Sequence, residues 1–220
     1  MLLYLCGRFE YFVRQVIEAL GDEIANRAKD YDSLPSSLRD ELRRRTLDVA
    51  KSPARYGYSS QEADALIVGL ATNLDRSQKT EPIMIDSKVL SVTESNMRAN
   101  TLNEVMKRVG MQDTWKELGK QAKLKIYLQK QSDGECAAAA QRRLDDLMIQ
   151  RNNIAHPTGG TSFPDPDQVL WMAGFLEELG RSLVELCQVH LSIFPAANGS
   201  TGSEFSAPAQ RVSRSPNPAN

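Results

Sequence analysis

Residues 151–157 read Arg151, Asn152, Asn153, Ile154, Ala155, His156 and Pro157. An arginine and a histidine this close together can act on a phosphodiester without a metal ion. Histidine changes charge near neutral pH, with an ordinary pKa of about 6.5, so it can take a proton from a ribose 2′-hydroxyl or return one to a leaving 5′-oxygen. Arginine keeps its charge and offers a planar fork to a phosphate as negative charge builds on it. Asn152 can hold the phosphate or the histidine. The same residues have a plainer use, because cations at a helix C-terminus satisfy its last carbonyls and its dipole. With 17 Arg and 2 His in the chain, about 0.15 such pairs arise by chance, so the surroundings must carry the argument.

Helix geometry separates the two side chains. Five residues along a helix turn roughly 140° and rise about 7.5 Å, which puts Arg151 and His156 on different faces. Asn152 and His156, four apart, share one. Pro157 disfavours helical dihedrals at His156, which places the histidine at a helix end. Two copies of this helix across a two-fold axis converge on one phosphate more readily than one copy does. This predicts a symmetric homodimer with a composite cleft.

The elements that must position these residues are helical nearly throughout. Leu2, Leu5, Cys6, Phe9, Val13, Val16, Ile17, Leu20 and Ile24 recur at three- and four-residue intervals and predict one amphipathic helix over about 2–29. A second runs from Ser36 to Lys51, before Pro53. Ser59 with Glu62 forms a capping box for a third, which ends near Leu74. The segment IMIDSKVLSV, residues 83–92, is β-branched and apolar and has an extended character, with no evident partner strand. Asn100 is expected to cap a helix that Gly110 ends. Asp113 is expected to cap a single helix, TWKELGKQAKLKIYLQK. Asp133 opens a long helix through the alanine run 137–140, which allows close helix approach, to about Ile154. Asp165 and Pro166 start the last one. The expected fold is all-α: an antiparallel four-helix bundle over 1–194 with an inserted helical pair. Residues 195–220 are rich in Ser, Pro, Gly and Asn and read as a disordered tail.

Composition narrows the function classes. Lys and Arg total 27 against 28 Asp and Glu, a net charge of -1. The tail holds Arg211, Arg214 and Glu204, which leaves residues 1–194 at -2. That argues against a generally basic nucleic-acid coat but leaves room for a local basic groove. The best basic-aromatic cluster is Arg39, Arg43, Arg44, Arg45, Lys51 and Arg55 with Tyr56 and Tyr58. It could track an RNA backbone and stack a base. Interleaved Asp40, Glu41 and Asp48 equally suit a solvated helix face. Three widely spaced cysteines, Cys6, Cys136 and Cys187, fit a reducing cytoplasm rather than a disulfide framework. Two histidines nearly exclude a histidine-rich metal centre, and His190 reads as a satisfied or surface residue. Trp115 and Trp171 read as core. No stretch approaches the ~20 apolar residues of a membrane span, and the N-terminus lacks the marks of a signal peptide. No glycine-rich phosphate loop or Ser-His-Asp context is present.

The motif and its surroundings resemble the HEPN superfamily, most closely its RiboL-PSP-HEPN branch. The resemblance lies in QRRLDDLMIQRNNIAHP at the end of a long helix, in GRFEYFVRQVIEAL as a first helix with an acidic residue after an aromatic, and in SNMRANTLNEVMKRVGM as the mid-domain segment. It covers most of residues 1–194. It implies a dimeric endoribonuclease that needs no metal or cofactor, acts on RNA in a toxin–antitoxin, anti-phage or stress system, and leaves a 2′,3′-cyclic phosphate. Arg151 and His156 match the motif's two invariant positions, and Asn152 its polar position. Glu10 stands where an acidic residue of the first helix could orient the arginine. An antitoxin protein is a possible partner. The alternative implied by the same superfamily is a non-catalytic module that binds RNA, a nucleotide or a partner protein.

Overall fold

The structure is a computed structural model that describes residues 1–75, 83–93, 96–158 and 162–194. Helix α1, Leu2–Arg27, buries Cys6, Phe9, Val13, Ile17, Leu20 and Ile24, the apolar row of the sequence. A 3-10 turn at Tyr31–Ser33, capped by Asp30, leads to α2, Ser36–Lys51. A second 3-10 turn, Pro53–Tyr56, precedes α3, Ser60–Leu74. The capping box of α3 forms as expected: the Ser59 hydroxyl accepts the Glu62 N–H at 3.2 Å, and Glu62 accepts the Ser59 N–H at 2.7 Å. Then follow α4, Lys88–Ser91, α5, Ala99–Arg108, α6, Thr114–Gly119, and α7, Ala122–Leu128. The long helices α8, Asp133–Ala155, and α9, Pro166–Ser192, complete the chain. Among the described residues there are nine α-helices and no strand. The expected tail, 195–220, and residues 76–82 lie outside the described residues.

Helix α1 is the spine, packed against both α8 and α9. Arg27 donates from Nη1 to the Leu191 and Phe194 carbonyls, at 2.7 and 3.3 Å, at the far end of α9, while Gly180 lets Phe12 pack against the middle of that helix. These two helices therefore run in the same sense. Helix α6 lies on α8, and α7 bridges α8 and α9. The Tyr127 hydroxyl donates to the Trp171 carbonyl at 3.0 Å, and Lys123 pairs with Glu185 at 2.7 Å. Among the described residues no helix is long and apolar enough to cross a membrane.

Four expectations change. The segment 114–130 is two helices, broken at Lys120 and Gln121. Gly119 sits so close to the start of α8 that a Cβ there would overlap the Asp133 carbonyl, and the alanine run supplies the matching small side chains. Asn100 does not cap α5. The first N–H of that helix, on Ala99, goes instead to the Asp145 carboxylate of α8 at 2.8 Å, and the Asn100 side chain bonds Glu104. Within 83–92, residues 88–91 are helical, and Met84 is held on both its N–H and its carbonyl by the Asn73 side-chain amide rather than by a strand. Trp115 is buried and donates to the Ala99 carbonyl at 2.9 Å, but Trp171 is 43% exposed, with Arg143 4.1 Å above its ring.

The three cysteines are free and buried. Burial pushes the Cys187 thiol up to about 12, so it stays protonated at neutral pH and is a poor nucleophile. His190 is satisfied: its Nε2–H donates to the Val109 carbonyl at 3.1 Å, its edge meets Phe194, and it lies against Gly110, whose φ of 91° favours glycine. Burial holds its pKa below the ordinary 6.5. The unfolded chain then binds more protons than the folded one between the lowered value and 6.5, so stability falls as pH drops through that window. The urea midpoint is expected to fall from pH 7 to pH 5, and His190→Gln, which keeps a donor, is expected to flatten that slope. An unchanged slope in the variant would exclude this histidine as the cause.

Candidate active site

Each residue of α8 turns about 100° from the last. The row formed by Ala140, Leu144, Leu147 and Met148 is buried. Arg151, three residues past Met148, continues that row at its exposed end and is half-buried. Burial pushes the Cys6 thiol of α1 up to about 11, and the nearby Arg151 charge acts against that rise while Glu10 adds to it. The N-terminal half of α1 and the C-terminal half of α8 therefore meet at the motif.

A second row, Asp145, Asn152 and His156, lies about 100–140° round the helix. Its first two members hold the chain leading into α5. Asp145 takes the Ala99 N–H, and the Asn152 side-chain oxygen accepts from Asn96 Nδ2 at 2.7 Å. That oxygen also accepts from Arg151 Nη1 at 3.0 Å. An amide oxygen has two lone pairs, and here both are used. The second bond swings the guanidinium out of the core row toward the row that ends in His156. This answers the angular separation seen in the sequence: Asn152 is the adapter between two faces of one helix.

His156 leaves the helix with φ -128° and ψ 70°, its N–H still donating to the Asn152 carbonyl at 2.9 Å. Its imidazole is exposed and has no hydrogen-bond partner among the described residues. The structure thus joins Arg151 to Asn152 directly and sets His156 one turn further along, facing solvent.

Glu10 is placed differently from the expectation. Its carboxylate pairs with Arg14, four residues on in α1, at 2.6 Å, and lies 3.5 Å from the Thr93 hydroxyl, which Arg14 also reaches at 2.8 Å. A cation on the same helix face captures it, and Asn152 orients Arg151 instead. Glu10 remains a neighbour of the site through Cys6.

Sequence reasoning did not single out Asn96, Thr93, Arg14 or Arg108. Asn96 carries a weak signal as the asparagine ahead of the mid-domain helix. Arg108 carries a clearer one, a charge among the apolar positions Leu102, Val105, Met106 and Val109. It is only 5% exposed, and its Nη1 donates to the Leu90 and Val92 carbonyls, both at 2.7 Å. Burial, with the nearby Arg45 charge acting in the same direction, pulls its pKa down to about 10. It fixes the segment that presents Thr93 to Arg14. Among the described residues no three His, Cys, Asp or Glu side chains converge as metal ligands do.

The RiboL-PSP-HEPN family model matches residues 1–188, from the start of α1 to within the last turns of α9, and so takes in the whole Arg151–His156 segment. No curated protein and no solved structure matches the chain. Family membership points to a nuclease or other RNA-related module. The helical architecture and the match over nearly all of the described residues lead to one conclusion: the chain belongs to the RiboL-PSP-HEPN family, a branch of the HEPN superfamily.

Proposed function

We propose that the protein is a metal-independent endoribonuclease acting as a homodimer. The observation that carries this reading is the shared Asn152 oxygen, which ties the Arg151 fork to the helix face that ends in an exposed His156. Arg151 binds the scissile phosphate and stabilises the charge that gathers on its oxygens. His156 takes the proton of the ribose 2′-hydroxyl, whose oxygen attacks phosphorus. The P–O5′ bond breaks, and the departing 5′-oxygen takes a proton from His156 of the partner subunit. The products are a 2′,3′-cyclic phosphate and a 5′-hydroxyl. The nucleophile belongs to the substrate, so the protein supplies only binding, charge and proton transfer. The amide NH2 of Asn152 donates to the same phosphate.

A dimer is supported by exposed apolar side chains beside the motif: Leu3, Tyr4 and Tyr11 on α1 and Ile149 on α8. Such a set on helices that already meet at the motif is the kind of surface a second copy covers. The setting we infer is a toxin–antitoxin, anti-phage or stress system, with an antitoxin as partner, in the cytoplasm.

Three measurements test this. RNA incubated with the protein in EDTA is expected to be cut, and His156→Ala to lose about 10²–10⁴-fold in rate. Cleavage that stops on chelation, or persists in the variant, rules out the mechanism, and binding of uncut RNA would leave a recognition module. Asn96→Ala and Asn152→Ala are each expected to lower kcat, and the double variant to lose no more than the worse single one, because both act through one oxygen. Additive losses would separate Asn96 from the site. Light scattering is expected to show a dimer that Tyr4→Glu with Tyr11→Glu converts to inactive monomer; an active monomer contradicts the composite cleft.

A further inference from the structure

A second polar cleft, with a volume of about 460 Å³, opens between α2, the Pro53–Tyr56 turn and α5. Arg44, Arg45, Lys51 and Arg55 line it, and the buried Arg108 forms its floor. Asp48 and Glu104 are the carboxylates in its lining, against five cationic side chains, in a chain whose net charge is -1.

The partners of these cations matter more than their number. Arg44 is paired with Glu41 at 2.6 Å and lies 3.8 Å from Asp48. Arg108 has no carboxylate partner among the described residues and gives its hydrogen bonds to two neutral carbonyls. Arg45 Nε is buried with no hydrogen-bond partner, 3.6 Å from Glu41. Burying a cation such as Arg108 with no carboxylate partner is costly, and an anion entering the cleft removes that cost. Arginine forks suit the oxygens of phosphate. Thr93 lines the same cleft and binds Arg14, the partner of Glu10, so a chain of contacts on α1 links the cleft to the neighbourhood of the motif.

We propose that this cleft is a phosphate-binding site, with Arg45, Lys51 and Arg108 as the clamp, and that the phosphates it takes are those of the RNA strand flanking the cleaved linkage. The assignment to RNA rests on the reading of the motif given above; the phosphate site itself does not. A free nucleotide offers the same chemistry, and the test separates the two.

The probe is a fluorescent, fully 2′-O-methylated RNA oligonucleotide, which cannot be cleaved by 2′-hydroxyl attack. Its binding to the full chain is followed by anisotropy from 50 to 300 mM salt. Arg108 also holds the backbone, so the variant is Arg45→Gln with Lys51→Gln, checked for an unchanged helical spectrum. Affinity is expected to fall about tenfold or more, and the slope of log affinity against log salt to flatten by about 1.4, the share of two phosphate contacts on a single strand. In parallel, ADP and inorganic phosphate are tested for raising Tm. A Tm rise with ADP that the variant loses, alongside unchanged RNA affinity, supports the phosphate site and transfers it to a free nucleotide. Unchanged RNA affinity and salt slope together with no ADP or phosphate effect overturn the proposal. Because the probe stays intact, loss of binding in the variant of a protein that never cuts RNA would sink the nuclease reading and spare the cleft, and the converse result would do the opposite.

Discussion

A guanidinium at the end of an otherwise apolar helix row has to be satisfied, and the way Arg151 is satisfied shapes the rest of the site. Its hydrogen-bond partner among the described residues is a neutral amide oxygen, that of Asn152. A carboxylate there would neutralise the charge. A neutral acceptor fixes the geometry and leaves the charge available to a phosphate. The same oxygen is tied to Asn96, so the position of the arginine depends on the segment leading into α5 as well as on its own helix.

The contrast with the other arginines is instructive. Arg14, Arg27, Arg39, Arg44 and Arg181 each lie within 3 Å of a carboxylate, mostly on their own helix, and such pairs are worth little more than local order. Among the described residues Arg151 and Arg108 instead meet only neutral oxygens. The two groups of arginines are set apart by their partners rather than by their charge. Composition, near neutral overall, hides this division, because it is made by arrangement and not by amount.

The motif and the cleft above Arg108 are joined by a chain of contacts. Arg108 grips the Leu90 and Val92 carbonyls, Thr93 follows and receives Arg14, and Arg14 holds Glu10 on the helix face beside Cys6 and the motif. Asp145 and Asn152 on α8 pin the start of α5 from the other side. The connector between α4 and α5 is therefore held from α1, α5 and α8. The spine helix α1, with one face buried from end to end, gives these contacts a fixed frame.

What was legible in the chain alone is what forms within about four residues. Helix periodicity placed α1, α2, α3 and α8 nearly to their ends, the Ser59 capping box formed as read, Asp165 and Pro166 opened α9, and Pro157 took His156 out of the helix. The Arg151, Asn152 and His156 segment could be recognised by residue type and spacing. Tertiary packing decided the rest. It broke the helix at Gly119 where α8 comes too close, replaced Asn100 by Asp145 as the cap of α5, gave Glu10 to Arg14, and brought Asn96 to Asn152 across 56 positions of sequence. The reason is one of range: caps and periods depend on neighbours the chain always has, whereas the partner of a half-buried polar group depends on which helices the core has drawn together.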